Sequence, residues 1–268
     1  MLQEITDFHD EGKELRGLLT TLTESDFQRK TLFKDWTVND VVLHLHCSDI
    51  SAAASVRDSA EYEALRAEIG EKRKAGLSMI QESRQRFPEL KGKALLTRWW
   101  DQLEKLCELL AAKDPSARLA WAGPGMGVRM FTTARQMETW AHGQEIYDVM
   151  GKDRIFHDRL KNIAVIGVKT FGWTFTNRKL PVPTDMPYVR VTGPSSEVWE
   201  WNDPASGSSV TGDAVEFCQV VAQTRNIADT NLAVKGETAQ RWMQIAQCFA
   251  GAPNDPPAKG ARHKAKAA

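Results

Sequence analysis

The chain has no run approaching the ~18 consecutive apolar residues that a bilayer-spanning helix needs, and its first residues, MLQEITDFHDEGKEL, are charged where a secretory leader is apolar. The expectation is a cytoplasmic protein without membrane contact. Cysteine is scarce: Cys47, Cys107, Cys218 and Cys248 stand far apart, with no Cys-x-x-Cys pair. That spacing argues against a disulfide framework and a thiolate zinc site, and leaves four buried, reduced thiols. There is no excess of charge of either sign, since Lys+Arg 35 balance Asp+Glu 35. The chain therefore offers no electrostatic footprint for nucleic acid or an anionic membrane surface. It shows no internal repeat, and its glycine-rich loop, Gly123-Pro124-Gly125-Met126-Gly127, lacks the Gly-Lys-Ser/Thr ending of a phosphate-binding loop. What remains, at 268 residues with 42% hydrophobic and 26% charged residues, is a globular protein large enough for two domains.

The first two-thirds carry helical periodicity. Apolar residues recur at helical spacing from Ile5 to Leu22. Thr37, followed three residues later by Asp40, predicts a capping box that opens a helix through Val41, Val42, His44 and Leu45 and on past Ser51. Further helices are predicted over Glu61 to Phe87, Ala94 to Ala112, Phe131 to Val149 (closed by Gly151) and Arg154 to Thr176. At Leu180-Pro181-Val182-Pro183 the character changes. Short strand signals follow at Tyr188 to Thr192, Val198 to Trp201 and Ser208 to Thr211, then a helix from Asp213 to Arg225, a strand at Asn231 to Val234 and a last helix from Thr238 to Phe249. The reading is α+β: a helical bundle over residues 1–180, a small α/β domain over 184–251 and a disordered Pro-, Ala- and Lys-rich tail over 252–268.

Glu138 and His142 stand four apart on the predicted Phe131 to Val149 helix, so they share one face at metal-ligand spacing. A carboxylate at or near a buried face is costly unless paired, and a divalent ion accepting carboxylate oxygen and imidazole nitrogen would offset that cost. Taken alone, the spacing is weak evidence and fits a solvated or helix-stabilising surface pair better. His44, inside Val41-Val42-Leu43-His44-Leu45, needs a hydrogen-bond partner or a metal if buried; the plain alternative is a satisfied core histidine. His46, two positions on, points elsewhere, and His9, His157 and His263 sit in polar or terminal contexts. Arg135, three positions before Glu138, reads as a support behind the metal ligands or an interhelical ion-pair partner rather than a substrate ligand. Trp99, Trp100, Trp121, Trp140 and Trp173 read as core packing.

The run Trp36-Thr37-Val38-Asn39-Asp40-Val41-Val42-Leu43-His44-Leu45, followed some ninety residues later by Arg135-Gln136-Met137-Glu138-Thr139-Trp140-Ala141-His142-Gly143, resembles the DinB-like, mycothiol-dependent maleylpyruvate isomerase superfamily. The part beyond residue 183 is similar to the sterol-carrier-like domain that often follows the bundle there. Arg225-Asn226-Ile227-Ala228-Asp229-Thr230, with Trp242-Met243 and Ala246-Gln247-Cys248-Phe249-Ala250-Gly251, looks closest to an uncharacterised metal-binding subgroup. The resemblance implies a DinB-like bundle binding zinc or another divalent metal through His44, Glu138 and His142, and it places the family's C-terminal-domain arginine at Arg225. Two histidines and one carboxylate leave a coordination position open, as in catalytic sites. The implied chemistry is a metal-bound thiol, mycothiol or glutathione, or water, acting on a small carboxylate-bearing substrate held by Arg225 across a domain cleft. That makes the expected protein a thiol-dependent isomerase or transferase, or a metal-dependent hydrolase or lyase. The rival reading is a non-catalytic binding protein in which metal serves stability and the aromatics Trp199, Trp201, Phe217 and Trp242 shelter an apolar ligand.

Overall fold

A computed structural model describes residues 1–123 and 125–265; Pro124 and residues 266–268 lie outside the described residues. The chain divides into two compact units, Met1–Met150 and Gly151–Ala268.

In the first unit, α1 (Gln3–Thr21), α2 (Val38–Arg57), α5 (Gly92–Ala112) and α6 (Val128–Met150) form the bundle. The helix α2 packs along α5 and crosses α6, while α1 lies against α6 and α5. Their apolar stripes meet in one core containing Phe8, Leu15, Val41, Leu95, Trp99 and Ile146, each 1% exposed or less. The predicted capping box is present: Asp40 N donates to Thr37 Oγ1 (3.1 Å), and Asp40 Oδ2 accepts from Thr37 N (2.9 Å). Arg84 closes around the same carboxylate through two bonds of 2.8 and 2.6 Å. Burial alone would raise the Asp40 carboxyl, but the bonds from Arg84 and Thr37 hold it below its ordinary value.

One continuous helix over Glu61 to Phe87 is replaced by two, α3 (Ser59–Lys74) and α4 (Met79–Arg86). Gly76, at φ +94°, takes the left-handed conformation that ends α3. Ser78 and Gln81 then form a second capping box that starts α4. The glycine loop ahead of α6 closes a two-stranded ribbon, β1 (Arg118–Leu119) against β2 (Met126–Gly127).

The second unit begins with α7 (Lys161–Lys169) and α8 (Phe171–Asn177), followed by β3 (Tyr188–Thr192), β4 (Val198–Trp201), β5 (Ser209–Asp213), α9 (Ala214–Val221), β6 (Ala233–Lys235) and α10 (Glu237–Ile245). The sheet order is β4-β3-β5-β6, with β3 and β5 parallel and the outer pairs antiparallel. The units therefore divide at Gly151, ahead of the Pro-rich stretch at 180–183. The reason is packing: α7 buries Ile163, Ile166 and Val168, and α7 lies on α9 while α8 lies on α10.

The 252–268 segment departs from the expected disorder over its described part. Buried Gln223 exchanges bonds with Asn254 (2.8 and 2.6 Å), Asn226 Nδ2 donates to Pro257 O (2.7 Å), and Arg262 Nη1 donates to Gln223 O (2.6 Å). Composition pointed to disorder because the segment has little to bury; it is held instead by polar groups that satisfy buried partners. No described helix is long and apolar enough to cross a membrane.

Candidate metal centre

Two helices and one loop build the site. The helix α2 carries His44, and α6 carries Glu138 and His142 one turn apart. The loop before α2 folds back on itself, with Thr31 N donating to Trp36 O (2.8 Å), Trp36 N to Phe33 O (2.9 Å) and Val38 N to Arg29 O (3.0 Å). Lys34 and Asp35 turn it in the left-handed region (φ 53° and 55°). That turn lays Trp36 parallel to the His142 ring (6.0 Å, 12°) and against His44 (5.3 Å), with Phe33 edge-on to His142 (5.2 Å). The tryptophan at the start of the capping-box run and the phenylalanine three positions before it wall the imidazoles, a role their sequence positions did not disclose.

His44 Nε2 lies 3.4 Å and His142 Nε2 3.5 Å from the same oxygen, Glu138 Oε2. One donor atom from each of the three residues lies within 4.8 Å of the others. His44 is 8% exposed, and the other two are partly buried. As hydrogen bonds, separations of 3.4–3.5 Å are long. As edges of a tetrahedron they fit, because two ligands each bound at ~2.0–2.2 Å to one ion stand about 3.3–3.6 Å apart. The donor set of two imidazole nitrogens and a carboxylate oxygen matches divalent zinc chemistry as well.

The electrostatics agree with that fit. Burial drives the His44 imidazole down to about 4, so it stands neutral at pH 7. Burial would raise the Glu138 carboxyl, yet the bonds from His142 and His44 hold it well below its ordinary value. The carboxylate is thus ionised and the His44 ring uncharged before any ion arrives, which lowers the cost of ligation.

Of the residues singled out from sequence, His44, Glu138 and His142 come together. His46 is buried elsewhere, edge-on to Phe87 (5.3 Å). Arg135 forms an interhelical ion pair with Asp49 (2.9 Å). Trp99, Trp100 and Trp140 are core residues, whereas Trp173 is 37% exposed and donates to Phe249 O (3.1 Å). Arg225 lies in the second unit, half-buried, with Nη1 donating to Thr224 O (2.8 Å). Asp49 escaped the sequence reading, since an aspartate in mid-helix carries no local signal until its partners on other helices are known.

Residues 8–147 match the family described as the mycothiol maleylpyruvate isomerase N-terminal domain. An uncharacterised protein of Mycobacterium tuberculosis, found in strains CDC 1551 / Oshkosh and H37Rv, is 33% identical over 249 residues, covering 93% of this chain and 96% of that protein. Among solved structures, a mycothiol-dependent maleylpyruvate isomerase superposes with a TM-score of 0.55 at 14% identity, covering 82% of this chain and 88% of that one. A histidine-to-alanine variant of the same enzyme gives 0.54 at 13%. The structural likeness shows a shared fold, and the sequence match, which carries His44, Glu138 and His142 within its span, shows that the chain belongs to the mycothiol maleylpyruvate isomerase family.

Proposed function

We propose that the protein is a metal-dependent enzyme in which His44, Glu138 and His142 hold a divalent ion, Zn²⁺ foremost, and which uses a small thiol, mycothiol or glutathione, on a small carboxylate-bearing substrate. The supporting observation is the convergence of three donors within 4.8 Å from helices far apart in sequence. A divalent ion bound there would stabilise an anionic ligand, thiolate or hydroxide, near neutral pH. The chain's own residues supply the rest. Glu138 presents an ionised carboxylate and His44 an uncharged imidazole, and Phe33 and Trp36 cover one side of the imidazoles. Arg225 is assigned to the substrate carboxylate because its planar fork suits bidentate carboxylate binding.

Metal analysis and turnover of the purified chain with mycothiol, glutathione or water alone test this reading, with maleylpyruvate as the first substrate. Stoichiometric divalent metal is expected in the wild type and its loss in His142→Ala, with turnover that needs thiol. Arg225→Lys should keep the metal and lower the rate about tenfold or more, because charge is kept and bidentate geometry lost. Absence of metal from the wild type, or full retention in His142→Ala, would overturn the assignment.

The rival reading, a binding protein with an aromatic ligand shelter, loses support from the packing of the second unit. Of its four aromatics, Trp199, Phe217 and Trp242 are each 1% exposed or less, with Phe217 against Trp242 at 5.9 Å, and Trp201 is partly exposed.

A further inference from the structure

The two helices that carry the metal donors are joined a short way from them by a buried ion pair. Asp49, on α2 five residues after His44, is fully buried. Arg135, on α6 three residues before Glu138, is 9% exposed. Arg135 Nε and Nη2 donate to Asp49 Oδ1 at 3.1 and 2.9 Å, and Trp99 Nε1, from α5, donates to Oδ2 at 3.2 Å. Gln102, also on α5, donates to the Asp49 carbonyl at 3.3 Å.

We propose that the Asp49–Arg135 pair, anchored by Trp99, is the positioning element of the metal centre. It sets the rotation of α6 against α2 and so brings Glu138 and His142 into ligating distance of His44. The inference rests on the metal-centre reading above and adds residues that do not touch the ion.

Three physical arguments carry it. Arg135, Glu138 and His142 follow one another at spacings of three and four, so they share a helix face and turn together when α6 rotates. Metal bonds tolerate displacements of only about 0.2 Å. The helix α2 meets α6 less extensively than it meets α5, and apolar contacts are nondirectional; a guanidinium clamped on a carboxylate that a third helix also holds adds a directional constraint on their relative rotation. A buried ion pair is in addition a poor device for stability alone, because apolar residues of similar volume are commonly as stable or more so.

Co²⁺ titration of the metal-stripped full-length chain tests the proposal, read by the visible absorption bands of the bound ion and by competition with a chelator, beside the circular dichroism and melting temperature of the apo protein. Asp49→Asn keeps the shape and removes the charge; Trp99→Phe removes one bond to Asp49 and keeps the ion pair. Ile5→Val, a buried trim near the start of α1 beside Glu4, which pairs with Arg129 at the start of α6, controls for lost stability. Asp49→Asn should weaken Co²⁺ binding about tenfold or more and alter the absorption bands at a temperature where the apo protein remains folded. Trp99→Phe should shift both in the same direction by less, and Ile5→Val should shift neither. Wild-type affinity and spectrum in Asp49→Asn, or in Trp99→Phe should the first variant not fold, would overturn the positioning role while leaving the metal centre standing. Failure of the wild type itself to bind Co²⁺ would overturn both.

Discussion

His44 and His46 lie on the same helix, both buried, both pushed down to about 4, and they serve different ends. His44 gains two neighbours that share a ligand geometry. His46 lies among apolar groups, its Nδ1 is buried without a hydrogen-bond partner, and burial together with the nearby Arg98 charge lowers its basicity. The sign of the linkage follows. A histidine that stays neutral in the folded state down to about 4, but protonates near 6.5 when unfolded, favours unfolding as the pH drops from 6.5 toward 4. Replacing His46 by Phe should therefore raise stability relative to wild type by about 2 kcal/mol at pH 5, and the gain should fade by pH 8. Chemical denaturation at the two pH values measures it, and a pH-independent difference would contradict the assignment.

The elements of the bundle are placed by close approaches as well as by apolar stripes. Gly12 of α1 faces Leu103 of α5, and a methyl group at Gly12 would overlap the fully buried Leu103 side chain, which would have to shift within the core. Gly12→Ala gains about 1 kcal/mol of helix propensity and incurs an overpacking cost of about 1–3 kcal/mol. A net loss of about 1 kcal/mol is expected, against the usual gain for glycine to alanine in a helix; a rise in melting temperature would refute the close approach. The capping box at Thr37 and Asp40 was legible from four residues because both of its partners are local. The break between α3 and α4 was not read, although Gly76 and the Ser78–Gln81 pair mark it, because the flanking charged sequence keeps good helix propensity on both sides.

For the whole molecule, the C-terminal segment makes the largest difference to expectation. Its bonds satisfy Gln223 and Gln247, which are 2% and 1% exposed. Ending the chain after Gly251 should strip those partners. With about 1–3 kcal/mol lost for each buried group left unsatisfied, the shortened chain should be less stable by about 2–4 kcal/mol. Calorimetry of the two forms checks this, and identical melting temperatures would show the segment to be dispensable.

The sequence by itself determined the α+β class, the order of the main helices and strands, the capping box on α2 and the three candidate donors, because each of these depends on periodicity, short-range hydrogen bonding or a recognisable motif. Only the tertiary structure decided that His44 meets Glu138 and His142, that Trp36 and Phe33 wall them, that Arg135 pairs with Asp49, and that α7 and α8 pack with the second unit. These depend on which helix faces which, and that choice is made by burial and directional bonds between residues tens to hundreds of positions apart, where no local pattern records the partner.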